Sequence, residues 1–337
     1  MRPNNFDIIR LLLAGMVVFV HSYDLSGEAA LSPIRTFISS RLAVECFFVI
    51  SGFLIFASYE RCATLKEYYA NRAWRILPGY WLSTTICLII AFSRGIFHVG
   101  KFLVANLSFL TFLHPNIEGI FDHNPGNNAM NGALWTIKIE VMFYVLVPLL
   151  VWLGRRLQRD AVLWGCFVLS LIYHWVFRNH ESLVVQLPGQ LSFFMAGAII
   201  YYHLPLFKRS GWWAVAVAVL MFAASTYTGW FVLRPAAVGV LVLAACFLVP
   251  HFEGPARWGD FSYGTYILHY PIVQLMVEAG FFHAHPWGTV ALTIGLVTVA
   301  AGLSWNFVEK PSLAHAKNRK VRQAALGNAA NYPPAVP

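Results

Sequence analysis

The sequence predicts an all-α fold, a polytopic transmembrane helix bundle of about ten spans, and three observations predict it. Hydrophobic residues make up 58% of the 337 positions and charged residues 12%, far from the usage of water-soluble domains. Apolar stretches approaching the roughly 20 residues that a helix needs to cross a bilayer recur almost from end to end, as around Val141 to Leu153 and Trp212 to Tyr227. The basic residues fall unevenly between alternate loops, as they do in membrane proteins.

The spans are expected at 6–22, 37–58, 78–95, 132–153, 162–177, 187–204, 212–226, 230–250, 261–282 and 287–308. The first is read as a retained span, because no small-residue cleavage signature precedes Ser22. With the amino terminus cytoplasmic, most of the 24 Lys and Arg residues lie inside, including Arg72, Arg75, Arg155, Arg156 and Arg159. The outer side keeps Arg35, Arg41, Arg94, Lys101, Lys138, Arg178 and Arg234, and both termini then face the cytoplasm. The segment Phe102 to Leu113 is apolar but short for a crossing and reads as re-entrant or interfacial, while Pro115 to Asn131 reads as an outer loop. Residues 1–310 therefore form one transmembrane domain, and 311–337 a basic, disordered cytoplasmic tail.

A net charge of +9 raises a nucleic-acid partner, but the placement of the cations fits membrane topology instead, so no nucleic acid is expected. The five cysteines form no CxxC pair, and neither a disulfide framework nor a metal site is expected. No GxSxG elbow, Walker loop or HExxH motif appears.

Ionisable groups inside spans are costly unless they face the protein interior or a watery cavity, so the few present are the functional candidates. Arg10 and His21 lie on one face of the first span, separated along its axis by roughly 16 Å. His21 reads either as a general base or as a satisfied interfacial histidine. Glu45 in the second span and Glu140 in the fourth share its depth; either orients the imidazole, or they form ion pairs with Arg41 or Lys138. Thr136, Glu140 and Tyr144 share a helix face. Arg72 and Arg75, just before a span opening near Pro78, suit phosphate recognition or ordinary positive-inside anchoring. Ser262, Tyr266 and His269 form a polar stripe that lines a passage or joins helices.

Together Arg10 and His21, FFVISGF at 47–53, the RxxR element Arg72 to Arg75, WTIKIEVMFY at 135–144, SYGTYILHYP at 262–271 and SWNFVEKP at 304–311 resemble the acyltransferase-3 family of integral membrane proteins. The resemblance covers residues 4 to 311 and implies a membrane O-acyltransferase of the bacterial inner (cytoplasmic) membrane, multi-pass, surrounded by membrane lipids. It implies acetyl-CoA or another acyl-CoA as donor substrate and a carbohydrate or glycolipid as acceptor. On matching positions, it makes His21 the catalytic base with Arg10 and Glu140 in the same site, and Arg72 and Arg75 the contacts to the donor phosphates. Ser262, Tyr263 and His269 are carried over with the donor-binding set. Glutamate at 45 and threonine at 136 stand where aspartate and serine are common in the family, and both keep the chemistry. The expected mechanism brings the pantetheine arm from Arg72 and Arg75 through the bundle to His21, which deprotonates the acceptor hydroxyl. The alternative is a secondary transporter of a small polar solute, for which no repeated halves are visible; a membrane scaffold would tolerate loss of His21.

Overall fold

The computed structural model describes residues 4–252 and 254–316, and no strand occurs among the described residues. The long helices are α1 (Phe6–Ser26), α2 (Ser40–Glu60), α3 (Leu65–Ser93), α4 (Gly100–Leu107), α5 (Trp135–Arg156), α6 (Arg159–Val176), α7 (Leu187–Tyr202), α8 (Leu204–Thr228), α9 (Arg234–Phe247), α10 (Ser262–Glu278) and α11 (Pro286–Ser304). Each of the ten expected stretches is covered by one of them. Seven helical stretches among the described residues are long and apolar enough to cross a membrane, α9 is a shorter apolar helix, and α6 and α10 fall outside both classes. The count of ten crossings and the side on which each end lies are therefore not fixed by length and composition.

Helix ends follow local chemistry. Gly27 adopts φ 66° and ends α1 with its N–H on the Tyr23 carbonyl, a left-handed position that glycine occupies without strain. Ser39 caps α2 by accepting from Leu42 N at 3.2 Å, and Thr64 caps α3 by accepting from Glu67 N at 3.1 Å. Helix α8 turns at Gly211 (φ 52°), which separates a short amphipathic start from the apolar portion beginning at Trp212.

In hydrocarbon every backbone group must be satisfied within the chain, which the helices do, leaving side chains to meet lipid. Large apolar side chains are accordingly exposed around the bundle, among them Trp152, Leu169, Trp213, Leu220 and Val299. On a water-soluble domain such a surface would aggregate. As a lipid-facing belt it fits a multi-pass membrane protein.

Inside the bundle α2 packs on α7, α6 on α7, α1 on α10, and α10 on α11. The α2–α7 contact is close because Gly52 faces the Phe194 carbonyl and Gly197 faces that of Val49, each too near for a Cβ. Beside it, Phe143 stacks on Phe194 at 3.9 Å between ring centroids. Replacing Gly197 with Ala should force the two backbones apart and destabilise the protein by about 1–3 kcal/mol. A thermal-unfolding midpoint in detergent equal to that of the wild type would show that the interface relaxes freely.

The segment expected as re-entrant is the short helix α4 followed by a 3₁₀ turn at Thr111–Leu113. The loop 115–131 is tied to α10: Asn124 Nδ2 donates to Gln274 Oε1 at 2.7 Å, and Gln274 Nε2 donates to the Ala129 carbonyl at 3.0 Å. The last helical stretch, expected to cross at 287–308, runs from Pro286 to Ala316. A π turn at Trp305–Glu309 immediately precedes the proline, relaxing the ladder where Pro311 supplies no N–H. The rest of the expected tail, 317–337, lies outside the described residues.

Candidate active site

Helices α1 and α10 touch at two levels. At one, Arg10 of α1 meets Asp260 just before α10; at the other, His21 meets His269. The two helices therefore run side by side in the same direction, with a polar contact near each end.

At the first level Arg10 Nη1 donates to Asp260 Oδ2 at 2.7 Å, and Arg75 Nη2 donates to the same oxygen. The other oxygen accepts from Ser262 Oγ at 2.5 Å and from the Ser262 N–H at 3.3 Å. Burial opposes the charge on Asp260. Nevertheless, the guanidinium groups of Arg10 and Arg75, with the Ser262 bond, hold its carboxyl well below the ordinary carboxylate range. Arg72 lies one turn back on α3, where its Nη2 donates to Ser58 Oγ at 3.1 Å and its guanidinium sits over the Tyr144 ring at 5.7 Å. Among the described residues its buried Nε has no hydrogen-bond partner. Tyr144 in turn donates to Glu140 Oε1 at 2.6 Å, and Tyr263 donates to the Ile76 carbonyl at 2.8 Å, fastening α10 to α3.

At the second level the network fixes which imidazole nitrogens carry protons. His269 Nδ1 lies 2.7 Å from the Tyr266 carbonyl, which can only accept, so that nitrogen is protonated. In a neutral ring Nε2 of His269 is then an acceptor, and it stands 2.7 Å from His21 Nδ1, which must donate. Nε2 of His21 is left with its lone pair. A carbonyl and a second imidazole thus orient His21 much as a carboxylate orients the histidine of a hydrolase triad.

Two cavities lie along these levels and share part of their lining. One, of ≈ 60 Å³, is lined by Arg10, Ser51, Thr136, Glu140, Ser262 and Tyr263 together with Phe47 and Phe48. The other, of ≈ 190 Å³, is lined by His21, Arg41, Glu45, Trp135, Glu181 and Gln190. Val44 and Tyr266 belong to both walls. Tyr266 is held there by a 2.8 Å hydrogen bond between its hydroxyl and Thr136 Oγ1. Among the described residues no group of three or more His, Cys, Asp or Glu is placed to hold a metal ion.

The family model described as an acyltransferase domain, acyltransferase-3, matches residues 4–308, nearly the whole described chain. The chain belongs to this acyltransferase-3 family. It is similar to Nodulation protein 10 of Rhizobium leguminosarum bv. viciae, 26% identical over 92% of this chain and 93% of that one. The O-acetyl transferase of Shigella phage Sf6 is 26% identical over 92% of this chain and 96% of its own. Exopolysaccharide production protein ExoZ of Rhizobium meliloti (strain 1021) is 28% identical over 85% and 94%. No solved structure matches the chain. This acyltransferase-3 protein is an acyltransferase enzyme of the multi-pass membrane class.

The acyltransferase-3 chain brings most of its expected site residues together, but not in the expected pairs. Neither Glu45 nor Glu140 orients His21. Glu45 is 2% exposed and neutralised by Arg234 at 2.8 Å and Arg41 at 3.4 Å, the structural pairing left open from the sequence, with Arg234 as an added partner. Glu140 is occupied by Tyr144 on its own helix, and Lys138 pairs with Gln186 instead, at 2.6 Å. His269, carried over with the donor-binding set, is the partner of His21 at the far end from Arg72 and Arg75. Arg75 is already occupied by an acid, and Ser262 serves that acid.

Asp260 was missed by sequence reasoning. The available signal was an acid immediately before a polar stripe, at the end of the bundle where conserving charge balance among arginines demands one.

Proposed function

We propose that this acyltransferase moves an acetyl or similar short acyl group from acyl-CoA to a hydroxyl of a carbohydrate or glycolipid, in the bacterial inner membrane with both termini cytoplasmic. The observation that carries the reading is the pair of cavities sharing Val44 and Tyr266, with arginines at one end and an oriented imidazole at the other. Arg72, with the guanidinium N–H groups that Arg10 and Arg75 do not spend on Asp260, receives the donor phosphates by charge-assisted hydrogen bonds. The Nε of Arg72, without a partner among the described residues, is a donor for such a contact. The slim cavity beside Ser51 and Glu140 takes the extended pantetheine arm. The acceptor enters the cavity at His21.

His21 Nε2 takes the hydroxyl proton as the acceptor oxygen attacks the thioester carbonyl. The new C–O bond forms, the C–S bond breaks, and the imidazolium returns the proton to the departing thiolate. The names of two relatives, an O-acetyl transferase and an exopolysaccharide production protein, support the acceptor class.

Protein reconstituted in vesicles with acyl-labelled acetyl-CoA and a surface polysaccharide should yield labelled polysaccharide and free CoA. Movement of intact solute without acyl transfer would replace this reading with that of a transporter. His269 acts through His21, so His269→Leu should lower kcat by about 100-fold or more while leaving the donor KM unchanged. His269→Gln, which can both donate to Tyr266 and accept from His21, should recover much of the loss. Equal rates in the Leu and Gln variants would remove the positioning role.

A further inference from the structure

We propose that Trp135 forms the wall of the acceptor subsite on which a sugar ring stacks, so that the pocket at His21 accepts a single pyranose presented by its apolar face. This rests on the acyl-transfer reading and adds to it the shape and chemistry of what His21 deprotonates.

Trp135 opens α5 directly behind a rigid corner. Asn131 Oδ1 accepts from Ala133 N at 3.2 Å, while its Nδ2 donates to Ser83 Oγ at 2.8 Å and to the Ile267 carbonyl at 2.7 Å. Gly132 beside it has no room for a side chain, since a Cβ would lie 2.7 Å from the Tyr270 ring. The next residue, Thr136, is bonded to Tyr266. The backbone that carries Trp135 is thus fixed from α3 and α10, and its side chain is half-buried against the core and lines the same cavity as His21.

Among the described residues no aromatic ring stacks on the indole, and its N–H has no hydrogen-bond partner. The remaining polar groups of the cavity suit hydroxyls. Gln190 Nε2 is held by the Val184 carbonyl at 2.8 Å, which leaves its Oε1 as an acceptor. The Glu181 carboxylate, which also lines the cavity, has no ion-pair partner among the described residues. One rigid aromatic face with a few placed acceptors is the composition of a site that orients an amphipathic ring. The volume of ≈ 190 Å³ is below the roughly 300 Å³ at which pockets for drug-sized ligands begin, so it takes one ring while the rest of the acceptor stays outside.

The test uses purified full-length protein in nanodiscs, acetyl-CoA as donor, and deacetylated cell-surface polysaccharide from the source cells as acceptor. Trp135→Ala should raise the acceptor KM at least 10-fold, and Trp135→Phe, which keeps an aromatic face, less than 3-fold. The acetyl-CoA KM should stay at its wild-type value in both. An acceptor KM within twofold of wild type in the Ala variant overturns the subsite while leaving acyl transfer intact. Parallel rises in donor and acceptor KM overturn it too, as they would mark a structural role. Failure of the wild type itself to modify the polysaccharide or any other hydroxyl acceptor removes the underlying reading.

Discussion

His21→Ala should lower acceptor-dependent acyl transfer by about 10²–10⁴-fold, the range a positioned general base supplies. The effect belongs in kcat, because the lost group acts on the hydroxyl proton and not on the donor. Arg72 and Arg75 stand at the other level of the bundle, so the donor KM should stay within a factor of about two. The imidazole also stacks on His269 and meets the Tyr270 ring edge-on, so the thermal midpoint in detergent should fall as well, and transfer is compared at a temperature where both proteins stay folded. Steady-state transfer at saturating donor and acceptor checks this directly. Activity within a few fold of wild type would eliminate His21 as the base, and with it the significance of the relay through His269 to the Tyr266 carbonyl.

Loss of the acid at the opposite end should be felt first as instability. Asp260→Ala leaves two largely buried guanidinium groups without their shared carboxylate, and breaking such a pair typically costs about 3–5 kcal/mol. Asp260→Asn keeps the shape and the Ser262 contact and should fall between Ala and wild type.

The sign of the pH dependence follows from the direction of the shift. A carboxyl whose folded pKa is depressed contributes stability that is fully present above its unfolded pKa and is lost as pH falls through the folded one. The difference in thermal midpoint between wild type and Asp260→Asn should therefore be flat from about pH 5 to pH 8. A difference that shrinks as pH is lowered across that window would show that the two arginines do not hold the carboxyl ionised.

The helical bundle was legible because a bilayer imposes long apolar runs, and a helix covers every stretch that hydropathy marks. Arg10 and His21 were legible as a pair because both sit on one helix, where spacing alone determines the face. Partners from distant helices were not. The sequence places Glu45 and Glu140 at the depth of His21, yet depth does not fix rotation about the helix axis or lateral position. Glu45 turns to Arg234 of α9, Glu140 is taken by Tyr144, and the imidazole meets His269. Asp260 escaped for the same reason: its meaning depends on Arg10 and Arg75, which only the fold brings to it. That the last helix runs on past the expected span 287–308 was not legible, because it depends on the π turn at Trp305–Glu309 that precedes Pro311.

If the proposed reading holds, the wall that Val44 and Tyr266 share also governs traffic through the lipid layer. On that reading the ≈ 60 Å³ on the arginine side of the wall would hold back the bulky nucleotide and admit only the slender tether toward the histidine. Under the proposed reading the coenzyme withdraws spent into the compartment it came from, and the modified sugar leaves on the other. The only thing exported is the acyl group itself, so a cell can decorate its exterior without losing any carrier.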